Sequence, residues 1–119
     1  LKPFRVNAQN GDNVPLADRI QPPVEKWLQG FADAEFVITD SFHACVFSII
    51  FHKPFICIGN KERGMTRIVS LLKLVDLKYQ LQESDLLYVQ CDNVEWDKVD
   101  AILEDKRLVS INFLKEALL

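Results

Sequence analysis

Two short apolar runs, Phe36-Val37-Ile38-Thr39 and Phe55-Ile56-Cys57-Ile58, stand on either side of a stretch that is apolar all round. The runs are rich in β-branched residues and too short for helices, so they read as buried strands over 35–39 and 55–58. Asp40-Ser41 follows the first at once and offers an N-cap, with Asp40 favoured as the capping side chain. A helix is then expected over about 42–51, ended by Lys53-Pro54. Phe42, Cys45, Val46, Ile49 and Ile50 fall on one of its faces, and Ala44, Phe47 and Phe51 on another. Such a helix needs cover on more than one side. Strand, buried helix and strand in that order predict an α/β protein with a Rossmann-like, mostly parallel sheet flanked by helices.

The remaining segments fit around that unit. Residues 1–21 read as linker or loop, because Asn10-Gly11-Asp12-Asn13 signals a turn and Val14-Pro15 breaks a helix. Residues 22–119 read as one domain. Pro22-Pro23 opens a helix to about Ala34 whose apolar face is Val24, Trp27, Leu28 and Phe31. Ile68, Leu71, Leu72 and Val75 mark another. After a turn from Gln80, an edge strand is expected at 86–89. Two further helices are expected, one carrying Trp96, Val99, Ile102 and Leu103, the other running over 108–118. Two confident strands are few for a complete doubly wound domain, so the chain reads as half of a larger protein. It begins with Leu1 rather than Met.

Composition narrows the class. Apolar residues make up 49% of the 119, which excludes a disordered chain. Fourteen Lys and Arg against seventeen Asp and Glu give a net charge of −3, unlike a general nucleic-acid binder. Cys45 and Cys57 lie in apolar runs, Cys91 in an acidic stretch, and none has C-x-x-C spacing; they read as reduced, buried thiols. No run reaches the ~20 apolar residues of a membrane span, and no signal peptide is visible. The expected location is cytoplasmic, with a peripheral place at the inner face of the membrane left open.

Chemistry in open α/β sheets gathers beyond the carboxyl ends of the strands. Here those ends are Thr39-Asp40-Ser41-Phe42-His43 and Gly59-Asn60-Lys61-Glu62-Arg63-Gly64. His43 falls in the first turn of its helix, where free N–H groups and the dipole attract anions. An imidazole there is suited to proton transfer near neutral pH. Lys61, Arg63, Arg67 and Lys73 against Glu62 give the second loop and its helix a net +3. Such a cluster suits phosphate or carboxylate, and Arg grips either through two parallel hydrogen bonds. Gly64 permits a positive φ. Asp40, Ser41 and His43, crowded into one turn, cannot form a hydrolase triad. His52 lies nine residues beyond His43, so the two cannot share a metal; it reads as a favourable charge at a helix C-terminus. The acidic stretch 83–105 lacks calcium-loop spacing and reads as a solvated face. No metal and no cofactor is expected.

The run Ala34-Glu35-Phe36-Val37-Ile38-Thr39-Asp40-Ser41-Phe42-His43, with Val46-Phe47-Ser48-Ile49 after it, resembles the polysaccharide pyruvyl transferase family. Lys53-Pro54-Phe55, the loop Gly59 to Gly64, Arg67, Ser110 and Phe113-Leu114 extend the resemblance over about 22–118. It implies the carboxyl-terminal Rossmann-like half of a two-domain, glycosyltransferase-B-like enzyme of bacterial cell-surface polysaccharide synthesis. The amino-terminal half would be a partner, and this half alone is expected to be inactive. Such enzymes transfer the enolpyruvyl unit of phosphoenolpyruvate to a saccharide acceptor as a cyclic ketal and release phosphate. On that reading His43 is the acid or a phosphate contact, and Asp40, Ser41, Lys61, Arg63, Gly64 and Arg67 bind substrate. Family members usually carry Gly and a small hydroxyl residue after the His, whereas Ala44-Cys45 stand here.

Two other readings compete. One is a glycosyltransferase-like domain that binds a sugar nucleotide or glycan without pyruvyl transfer. The other is a non-catalytic domain whose exposed apolar surface serves self-association. Fold class does not choose among them.

Overall fold

The computed structural model describes residues 2–5, 8–59, 64–82 and 93–119. Its centre is a parallel three-stranded sheet in the order β1-β2-β3. The strands are β1 (Val37–Thr39), β2 (Phe55–Ile58) and β3 (Leu81–Gln82). Val37 pairs with Phe55 and Thr39 with Cys57; Cys57 then pairs with Leu81 and Ile58 with Gln82. The α/β class with a parallel sheet is thus what the chain forms.

Among the described residues five α-helices accompany it: α1 (Leu16–Arg19), α2 (Val24–Asp33), α3 (Phe42–Ile50), α4 (Thr66–Leu74) and α5 (Trp96–Leu118). The core joins Cys45 and Ile49 of α3, Phe55 and Cys57 of β2, Ile68 and Leu72 of α4, and Val75, Leu77 and Val99. Helix α3 is covered on two sides, as its apolar pattern demands. One side faces the sheet. The other meets α2, where the Trp27 ring lies edge-on to Phe47 at 5.0 Å and Phe31 lies 6.0 Å from Phe47. Such edge-to-face contacts add to simple area burial.

Helices α3 and α4 end in the same way. The Lys53 N–H donates to the Ser48 carbonyl at 2.8 Å, and the Leu77 N–H to the Leu72 carbonyl at 2.7 Å. Between each pair sits a residue at positive φ, His52 at 51° and Asp76 at 59°. Both closures are Schellman-type, with a non-glycine residue where glycine is usual. The first turns of α5 bind both. His52 Nε2 is 2.8 Å from the Asp100 carboxylate, its ring stacks on Trp96 at 5.0 Å, and Lys98 Nζ donates to Asp76 at 2.7 Å.

Four expectations need correction or placement. Residues 108–118 are not a separate helix: α5 is continuous, because nothing between 93 and 119 is Gly or Pro. The third strand is at Leu81–Gln82, where a turn was expected, while the expected strand 86–89 lies outside the described residues. So do Cys91 and the acidic residues Glu83, Asp85 and Asp92. The leading segment is not wholly irregular, since Pro15 at the N-cap position starts the single turn α1. Among the described residues, no helix is long and apolar enough to cross a membrane.

Candidate functional site

Because β1 and β2 are parallel neighbours in register, their carboxyl ends open on the same edge of the sheet. The chain leaves β1 through Asp40-Ser41 into α3, and leaves β2 through Gly59, returning at Gly64-Met65 into α4. Two helix N-termini therefore stand side by side where an open α/β sheet binds ligands. Neither has a side-chain cap. This corrects the role expected of Asp40. The cap position of α3 is Ser41, whose N–H donates to Thr39 Oγ1 at 3.0 Å, and Asp40 stands one residue earlier, half-buried. The hydroxyl of Thr39 turns the chain at this point.

His43 is the second residue of α3 and is exposed. Arg67 is the second residue of α4, also exposed, and its guanidinium lies over the Phe42 ring, 5.4 Å from the centroid. The same Phe42 ring meets the His43 imidazole edge-on at 5.6 Å. Phe42 thus stands between the two polar groups that the sequence singled out, and its inner part packs on the core. Sequence reading gave Phe42 only a place on an apolar face. Its pairing with Arg67 depends on which strands are neighbours, and no local signal carries that.

Gly64 has φ +79°, the left-handed region that glycine tolerates. An added Cβ would meet nothing within 4 Å, so the requirement comes from the backbone and not from space. Gly59 donates its N–H to the Gln82 carbonyl at 3.0 Å, which ties the second loop to the end of β3. Lys61 and Arg63, with Asn60 and Glu62, lie outside the described residues. Of the residues expected at the site, the structure brings His43 and Arg67 to the Phe42 ring, while Asp40 and Ser41 lead into α3 and Gly64 leads into α4.

Ala44 and Cys45 are buried in the interior, so neither offers a group to this surface. The Cys45 and Cys57 thiols are neighbours in the core. Interaction with Cys57, with burial, holds Cys45 far above the ordinary thiol range, so it stays protonated. No group of three or more metal-binding side chains occurs among the described residues. His52 is at the other end of α3, bound to Asp100, and takes no part in the strand-end site.

Comparison with known families bears on this loop. The model of the polysaccharide pyruvyl transferase family matches residues 6–62, which include β1, Asp40-Ser41-Phe42-His43, α3 and β2. Over that segment, just under half of its length, the chain is similar to the family. The match begins before residue 22 and stops short of Gly64 and Arg67, so the resemblance suggested for Arg67, Ser110 and Phe113-Leu114 lies beyond it. No curated protein and no solved structure gives a significant match.

Proposed function

We propose that this chain is the carboxyl-terminal part of a two-domain, glycosyltransferase-B-like polysaccharide pyruvyl transferase, and that its strand-end site holds phosphoenolpyruvate. The observation that carries the reading is the family match over 6–62, with His43 inside it at the opening of α3. The geometry is in keeping with it. Phosphoenolpyruvate is a small polyanion, and two uncapped helix N-termini with an Arg beside them suit one. In the reaction C3 of the enol gains a proton, C2 bonds to two sugar hydroxyl oxygens, and the C2–O bond to phosphate breaks. Of the two hydroxyl protons released, one balances the proton gained at C3 and the other leaves with phosphate. His43 is the residue for protonating C3 or the departing phosphate. Arg67, with Lys61, Arg63 and Gly64 of the same loop, holds phosphate or carboxylate, and Asp40 and Ser41 border the acceptor side. The amino-terminal domain supplies the rest of the cleft, in which the saccharide acceptor binds.

Titration of the protein with phosphoenolpyruvate, followed through the two histidine ring signals, tests this. A saturable shift at His43 and none at His52 is expected, with affinity at least ~10-fold weaker in Arg67→Ala. A His43→Ala full-length enzyme is expected to lose at least ~100-fold in phosphate release. A preference for sugar nucleotides over phosphoenolpyruvate, or full activity without His43, would overturn the assignment.

A further inference from the structure

The outer part of α5 is a helix without a fold to lean on. Val99 is its only buried side chain, and every residue from Glu104 to Leu119 is exposed. Leu108, Ile111 and Leu118 are 53%, 45% and 84% exposed. A helix normally draws most of its stability from burying one face, and a contiguous apolar surface of this kind marks an interaction site.

The sequence of that surface specifies what fits it. Ala101, Glu104, Leu108, Ile111, Lys115 and Leu118 follow one another at spacings of three, four, three, four and three. That is the a/d spacing of a coiled-coil seam. All six are exposed, and at 100° per residue the seam lies roughly 140° around the helix from Val99.

We propose that this seam binds the same seam of a second copy of the chain, antiparallel, about a two-fold axis between Val109 and Ser110. Antiparallel packing sets each a position against a d position. About that axis Leu108 meets Ile111 of the second copy, Glu104 meets Lys115, and Ala101 meets Leu118. By symmetry each contact occurs twice, as an isologous interface requires. Apolar pairs occupy the centre, opposite charges flank them, and small faces large at the ends. A parallel pairing instead sets Glu104 against Glu104 and Lys115 against Lys115, which repels. Glu104 has an exposed contact with Arg107 at 3.4 Å on its own helix, too weak to hold it from Lys115. Six residues a side are fewer than the roughly 20–30 of a standard interface, so a weak dimer that forms as concentration rises is expected.

Charge exchange in the whole chain, read by analytical ultracentrifugation, tests the proposal. The unaltered chain is expected to dimerise with concentration. Glu104→Lys alone makes both flanking layers Lys against Lys, and Lys115→Glu alone makes both Glu against Glu; each is expected to weaken the dimer at least ~10-fold. A mixture of the two variants restores opposite charges in both layers and is expected to form a heterodimer, and the double exchange in one chain to restore the homodimer. Among the described residues the ion pair formed by either side chain is that of Glu104 with Arg107, and unchanged helix content by circular dichroism checks that each variant remains folded. A chain that stays monomeric to several hundred micromolar overturns the proposal and leaves the seam to another partner. Dimers indifferent to both single exchanges, or variants that do not recover on mixing, overturn it as well.

Discussion

Asp76 and His52 hold backbone conformations that cost a side-chain-bearing residue about 1 kcal/mol each, and both are gripped by the start of α5. For Asp76 the grip is electrostatic. Its hydrogen bond to Lys98, and Lys98's charge, hold the carboxyl below its ordinary value of 3.8. A carboxylate whose folded-state pKa is depressed stabilises the fold above its unfolded pKa. That contribution fades as pH falls from about 4 through the lower, folded value. The pair is exposed, so the effect on stability is small. The direct measurement is the Asp76 carboxyl chemical shift against pH. Its midpoint is expected below 3.8, and Lys98→Ala is expected to bring it back towards that value. An unmoved midpoint in the variant would show that Lys98 does not set it.

Helix α5 is one element with two different jobs along its length. Trp96 and Val99 close the end of the core opposite the strand-end site, and nothing beyond Leu103 is even half-buried. Substitutions should divide at that point. Trp96→Ala removes a half-buried ring stacked on His52 and is expected to cost roughly 2–4 kcal/mol in urea unfolding. Trp96→Phe should recover most of it. Leu108→Ala is expected to cost less than ~0.5 kcal/mol at dilute concentration. The same division explains what was legible beforehand. Helices α2, α3 and α4 and strands β1 and β2 announce themselves because their apolar residues face a core. In the outer part of α5, Leu108, Ile111, Leu114 and Leu118 read as a helix of their own, because the charged stretch Glu104-Asp105-Lys106-Arg107 parts them from Trp96, Val99, Ile102 and Leu103; that stretch is simply good helix-forming sequence. Strand β3 was hidden for a different reason. Two residues, Leu81 and Gln82, carry no periodicity, and only their pairing with Cys57 and Ile58 makes them a strand. In the candidate site, the sequence places His43 and Arg67 after strands, and the structure puts both beside Phe42. The Phe42 ring between them was not legible, because it depends on β1 and β2 being neighbours.

At the scale of the molecule, the radius of gyration is 16.7 Å, with extents of 55 × 36 × 29 Å. A compact chain of this length has about 13.5 Å. The excess lies in parts that bury little, the leading segment with Phe4, Leu16 and Ile20 exposed and the outer half of α5. Stability is thus concentrated between α2 and the first two turns of α5. Cutting the chain on either side of that limit separates the two contributions. A chain ended after Lys106 keeps Trp96, Val99, Asp100 and Leu103. At low micromolar concentration its thermal midpoint is expected within ~2 °C of the intact chain. A chain ended after Asn93 loses Val99 from the core and the grip on both helix ends, and its midpoint is expected to fall by ~10 °C or more, since each kcal/mol moves a domain of this size by several degrees. Equal midpoints for the two shortened chains would mean that α5 closes nothing. A large fall for the first would mean that the outer helix is held against the domain after all.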